Sequence, residues 1–178
     1  MDGELGQMNI KISYKLKFSN NYFMEELDSI DWRLLACLQE RGRISNLELA
    51  AAVHLSPAQC HRRHKRLEES GLIRRYEARL DPVQIGVGVV AFVQVSMERG
   101  HIKEVKKFRD AVLTQAQVQE CYAITGDADY MLKVAARDLK SLSDFLLGTI
   151  AVLPGVQSVR SSVCLDEVKC TSAWPLQV

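Results

Sequence analysis

Residues 60–66 read CHRRHKR, which places one cysteine, two histidines and four basic side chains in seven consecutive positions. Thiols and imidazoles are zinc ligands, while clustered guanidiniums bind phosphate and the guanine edge. Spacing separates the two chemistries. On a helix advancing about 100° per residue, Cys60 points away from its neighbour His61. His61, His64 and His54 find no C-x-x-C or second H-x-x-H pair to complete four ligands, so no metal is expected. In the same register Cys60, His64 and Leu67 turn to one side, the thiol as a small buried hydrophobe and His64 as a neutral core imidazole. Gln59, Arg62, Arg63 and Arg66 form a stripe on the other side with no acid in it. Such a stripe suits double-stranded DNA. Arg donates in pairs to guanine O6 and N7, Gln pairs with adenine N6 and N7, and Lys65 neutralises phosphate. Ser56, at the start of the helix, adds a phosphate seat. The competing reading, a merely solvated basic face, is weighed by what surrounds the helix.

The surrounding elements must position this stripe. Leu27, Ile30, Leu34, Leu35 and Leu38 recur at three and four, which predicts an amphipathic helix ended by Gly42. Ser45 and Glu48 have capping-box spacing at the head of a short second helix. Ser56, Pro57 and Gln59 open the third, and Gly71 closes it. Three helices with a tight turn between the last two form a helix-turn-helix array, and the alternating LIRRYEARLDP predicts a β-wing after it. The period then changes. Strands over 87–97, 118–125, 130–136 and 156–165 alternate with helices over 101–113 and 138–150, in the order βαββαβ of a ferredoxin-like fold. The fold class is therefore α+β: a winged helix-turn-helix followed by a ferredoxin-like domain. The expected boundaries are a leader 1–23, the first domain 24–80, a linker 81–87 and the second domain 88–178. The leader contains KISYKLKFS, an alternating stretch with the pattern of a short added strand.

Composition narrows the function classes. The 178 residues carry a formal charge of +1, so nucleic-acid affinity has to come from local clustering of Lys and Arg. Five widely spaced cysteines with no C-x-x-C pair argue against a disulfide framework and for the cytoplasm. The longest strongly apolar run, VGVVAFV, falls far short of the roughly 18 residues that cross a bilayer, so no membrane partner is expected.

Four stretches carry a resemblance: LDSIDWRLLACLQERGRISNLELAAAVHLS, RLEESGLIRRYEARLDPVQIG, TGDADYMLKV and LPGVQSVRSSVCLDEVK. Together they make the chain, from about Leu27 to Leu176, resemble the Lrp/AsnC (feast/famine) transcription regulators. The resemblance implies a DNA-binding first domain and a second (RAM) domain that dimerises through its sheet, assembles to tetramers or octamers and binds an amino-acid effector between dimers. No other cofactor and no catalytic residue are implied. Carried onto this chain, TGDADY makes Thr125, Gly126, Asp127, Asp129 and Tyr130 the effector loop, and Ser161 falls where the family often has a pocket hydroxyl. Hairpin-turn conformation alone also accounts for Gly126, Asp127 and Asp129. The sequence departs from the family pattern at His54, where glycine is usual, at His64, where an aliphatic core residue is usual, and in its leader. Two other functions fit the architecture. One is an enzyme like the sirohaem decarboxylases, with His101 as an acid, which the intact basic stripe argues against. The other is a mixed-oligomer partner that does not bind DNA alone.

Overall fold

The computed structural model describes residues 27–98 and 102–176. The expected leader and His101 lie outside the described residues. Two compact units are present, one running to Tyr76 and including the segment from Ser172 onward, the other from Glu77 to Thr171.

The first unit contains α1 (Ser29–Glu40), α2 (Asn46–Ala52) and α3 (Pro57–Glu69). Each opens on a reciprocal capping box: Asp28 with Asp31, Ser45 with Glu48, and Ser56 with Gln59. Each box satisfies helix N–H groups that have no partner within the first turn. The Asn46 amide of α2 also donates to the Pro57 carbonyl at 3.0 Å, tying the two helix starts together. Leu34, Leu38, Leu49, Ala50, Val53, Cys60 and Leu67 form the buried core between the helices. His54, in the α2–α3 turn, takes φ +57°, so histidine adopts the left-handed conformation that glycine takes at least cost.

One expectation for this unit is corrected. The stretch 72–82, expected as a β-wing, forms no strand among the described residues, where no strand pairs with it to complete a ladder. By its contacts the segment 172–176 clusters with the first unit. There the Trp174 N–H donates to Gln39 Oε1 at 2.6 Å, and Gln39 Nε2 donates back to the Trp174 carbonyl at 3.1 Å. The two units part, by contacts, after Tyr76.

The second unit runs β1 (Val89–Met97), α4 (Ile102–Val112), β2 (Val118–Ala123), β3 (Tyr130–Ala136), α5 (Leu139–Phe145) and β4 (Val156–Val163). All pairings are antiparallel, in the order β2-β3-β1-β4, which is the ferredoxin-like arrangement. Strand alternation decides the faces. Ala91, Val93, Val95 and Met97 of β1 and Tyr130, Leu132, Val134 and Ala136 of β3 are buried with Phe108 and Val112 of α4 and Leu142 and Phe145 of α5. The opposite face carries Phe92, Met131 and Tyr122, of which Phe92 and Tyr122 are exposed. The helix expected over 138–150 is α-helical only to Phe145 and continues as a π-helical turn, Leu146–Ile150.

Candidate nucleic-acid interface and effector loop

Helix α3 is rolled differently from the expected stripe. Cys60 and Leu67 are fully buried, as their spacing predicts, and burial pushes the Cys60 thiol upward. Arg63 and Arg66, however, turn toward the first turn of α1. Arg63 Nη1 donates to Asp31 Oδ1 and to Asp28 Oδ2, both at 2.8 Å, and Arg66 Nη2 donates to Asp31 Oδ2 at 2.6 Å. Asp31 is 1% exposed, so this carboxylate is buried with both oxygens engaged. The Asp31 N–H and the Arg63 guanidinium hold the Asp28 carboxyl below its usual range, while Asp31 and Asp28 together raise Arg63. Acids thus reach the expected stripe from α1, and within α3 Glu69 meets Lys65 at 3.6 Å.

Ser56 and Gln59 are also committed. Ser56 Oγ accepts from the Gln59 N–H at 3.3 Å and donates to Gln59 Oε1 at 3.0 Å. The amide oxygen needed for a bidentate contact with adenine is thus engaged in the cap. The fully outward side of α3 is left to Ala58, His61, Arg62 and Lys65, all exposed. His61 was missed as a surface residue because its imidazole was weighed only as a metal ligand. His64 does not enter the core either. Its side chain is 22% exposed, and its Nε2 meets the Tyr76 hydroxyl, which donates to Glu68 Oε1 at 3.1 Å. Burial and the neighbouring Glu68 push the Tyr76 phenol up to about 12. This polar cluster, present because Glu68 lies one turn from His64, keeps the imidazole at the domain surface.

The effector loop divides in a similar way. Thr125, Gly126 and Asp127 are exposed at the β2–β3 turn, with Gly126 at φ +117°, a conformation open to glycine alone. Asp129 instead braces the loop: its Oδ2 accepts from the Met97 N–H at 2.7 Å, and its own N–H donates to the Val95 carbonyl at 3.0 Å. Tyr130 is 3% exposed, with its ring centroid 4.9 Å from that of Phe108, so its ring belongs to the core. Ser161 stands apart. It pairs with Val93 on the helix side of the sheet and lines a cleft of about 310 Å³ with Leu139, Leu142, Leu147 and Val159, to which no residue of the 125–130 loop contributes.

A capped helix-turn-helix joined to a four-stranded ferredoxin-like unit defines a class of two-domain DNA-binding regulators. Comparison with known proteins makes it specific. Residues 27–74 match the family model for a winged helix-turn-helix DNA-binding domain, and residues 90–174 match that for the Lrp/AsnC ligand binding domain. The chain is 40% identical over 153 residues to the Bkd operon transcriptional regulator of Pseudomonas aeruginosa, covering 86% of this chain and 100% of that one. It is 39% identical over 145 residues to the leucine-responsive regulatory protein of Escherichia coli, covering 82% and 88%. Among solved structures, a transcriptional regulator of Neisseria meningitidis in complex with L-Met superposes with a TM-score of 0.81 at 39% identity, covering 84% of this chain and 96% of that one. An AsnC family regulator of Agrobacterium tumefaciens gives 0.79 at 32%, covering 84% and 97%. The chain belongs to the Lrp/AsnC family, and it is a DNA-binding transcription regulator, not an enzyme. The comparisons lend the decarboxylase and mixed-partner alternatives no support.

Proposed function

We propose that this regulator reads DNA through Arg62 and Lys65, with His61 beside them, and that an amino acid or a related small molecule modulates it from the second unit. The observation that carries the DNA reading is the exposed outward side of α3, where Arg62 and Lys65 are not drawn to the acids of α1 and Lys65 meets only the solvated Glu69 of its own helix, at 3.6 Å. Arg62 supplies a fork suited to guanine O6 and N7, and Lys65 a point charge for phosphate. The helix N-terminus at Ser56 presents its positive end to the backbone.

Effector binding rests on the ligand-domain match and on the L-Met complex of the Neisseria relative. In this chain the groups available for it are the Thr125 hydroxyl, the backbone at Gly126 and the Asp127 carboxylate, which suits an α-ammonium. The open sheet face, with Phe92 45% and Tyr122 55% exposed, supports pairing with a second copy, and dimers would assemble further to tetramers or octamers. The protein is placed in the cytoplasm, a reading supported by its DNA partner.

The test is a double substitution, Arg62→Ala with Lys65→Ala, titrated in the full chain against a duplex recovered by the unaltered protein from a random pool. Binding to the selected duplex should fall at least tenfold, with a salt slope shallower by roughly 1 from the lost Lys65 contact and unchanged thermal stability. Unaltered affinity would remove both residues from the interface.

A further inference from the structure

Four basic residues crowd α3, yet they have two fates, and Asp31 decides between them. It occupies the third position of α1, and its Oδ2 also accepts from the Asp28 N–H at 3.2 Å, so its own helix holds the carboxylate in place. Arg63 and Arg66 are anchored to its two oxygens at 2.8 Å and 2.6 Å. The apolar contact beneath α3 comes from Cys60 and Leu67, and apolar contact has no direction. Packing of that kind sets how close the helix lies and leaves its roll about its own axis weakly specified. Charge-assisted hydrogen bonds from two guanidiniums one turn apart are directional and fix that roll. Arg62 and Arg63 point about 100° apart, so even part of such a roll moves Arg63 outward and Arg62 aside.

We propose that Asp31 is a positioning residue for DNA recognition: it withholds Arg63 and Arg66 from the duplex and holds Arg62 and Lys65 toward it. The proposal rests on the DNA-reading role of α3. It makes a buried acid of the first helix a determinant of which bases the third helix prefers, although Asp31 itself touches no DNA. Arg63 and Arg66 become struts to α1, and of the four Lys and Arg side chains of α3 two, Arg62 and Lys65, are left for the duplex.

Asp31→Asn keeps the side-chain size and one carbonyl acceptor while removing the charge that holds the two arginines. Full-length protein is titrated by fluorescence anisotropy against its selected duplex and a scrambled one across a salt series. The expected result is a fall of roughly tenfold in preference for the selected duplex. Binding to the scrambled duplex should become steeper in salt by up to about two units of slope, as Arg63 and Arg66 join the phosphate contacts. A destabilised but otherwise indifferent scaffold would not steepen that slope. A folded variant with unchanged preference and slope would reduce Asp31 to a folding residue and overturn the proposal. If circular dichroism shows the variant unfolded, Arg66→Lys takes its place, keeping the charge but losing the fork. A several-fold loss of preference at constant scrambled affinity supports the proposal, and full retention overturns it. If the unaltered protein selects no duplex at all, the DNA-reading role of α3 fails first and the proposal with it.

Discussion

The two units hold themselves together by different means. Among the described residues, the second buries fourteen side chains in one core under the sheet and no ionised group, whereas the first buries seven and adds a buried carboxylate bridged by two arginines. Apolar burial provides cohesion roughly in proportion to area and is indifferent to small rotations. The ion-pair cluster contributes less cohesion, because desolvating the charges offsets much of the attraction, but it specifies direction. A unit that must present particular side chains at a particular angle thus carries its polar contacts inside, and a unit that serves as a platform carries an oily core. Damage should follow the same division, with stability lost from the second unit and discrimination from the first.

The largest expected effect tests the platform. Phe108→Ala removes a fully buried ring that packs on Tyr130 and should cost about 3–5 kcal/mol of the unfolding free energy measured in urea. A cost below about 1 kcal/mol, small for a cavity of that size, would break the comparison, since the sheet core would then not be the main source of cohesion. A smaller effect of opposite sign belongs to the first unit. His54→Gly relieves a left-handed backbone at a non-glycine residue and should raise stability by about 1 kcal/mol in a thermal melt, with DNA preference unchanged. A destabilised variant would mean that the imidazole makes a contribution exceeding the strain.

The smallest effect sharpens what the units share. Asp138 caps α5, and the Ser141 N–H, with Arg137 as a lesser influence, draws its carboxyl from 3.8 to about 2. Asp28, capping α1, is lowered first by the Asp31 N–H and then by Arg63. A depressed folded-state value favours the ionised form, so each cap's contribution is complete above about 4 and is lost as pH falls, for Asp138 through about 2. Carboxyl resonances followed by NMR should show both groups titrating below their usual value. A midpoint at 3.8 for Asp138 would mean that its cap is not formed in solution.

Much of the fold was legible because local chemistry repeats itself. The recurrence from Leu27 to Leu38 announces the first helix and Ser45 and Ser56 the other two, and the alternation of VVAFVQVSM and YMLKVAA places the core side of the sheet. The same alternation already put Tyr130 beside Leu132 and Val134. Its burial was readable from β3, and the motif match to an effector loop obscured it. Arg63 and Arg66 were a different matter. Their partner lies more than thirty residues earlier, and helical periodicity describes one helix without saying which neighbour's charges approach it. The capping box of Asp28 with Asp31, and the hold of Asp31 on the two arginines, both depend on geometry that the periodicity of α1 does not carry. Ser161 likewise could be assigned a strand but not a distance from the 125–130 loop, which strand register supplied.

The returning C-terminal segment bears on how the protein can be taken apart. Trp174 closes onto Gln39 through a reciprocal pair of hydrogen bonds, so residues far apart in sequence meet within the first unit. A piece that stops at residue 80 keeps Gln39 and loses Trp174, and removing residues 172–176 leaves Gln39 in the same state. Two quite different truncations should therefore shift the melting of α1 alike, by the worth of one exposed pair.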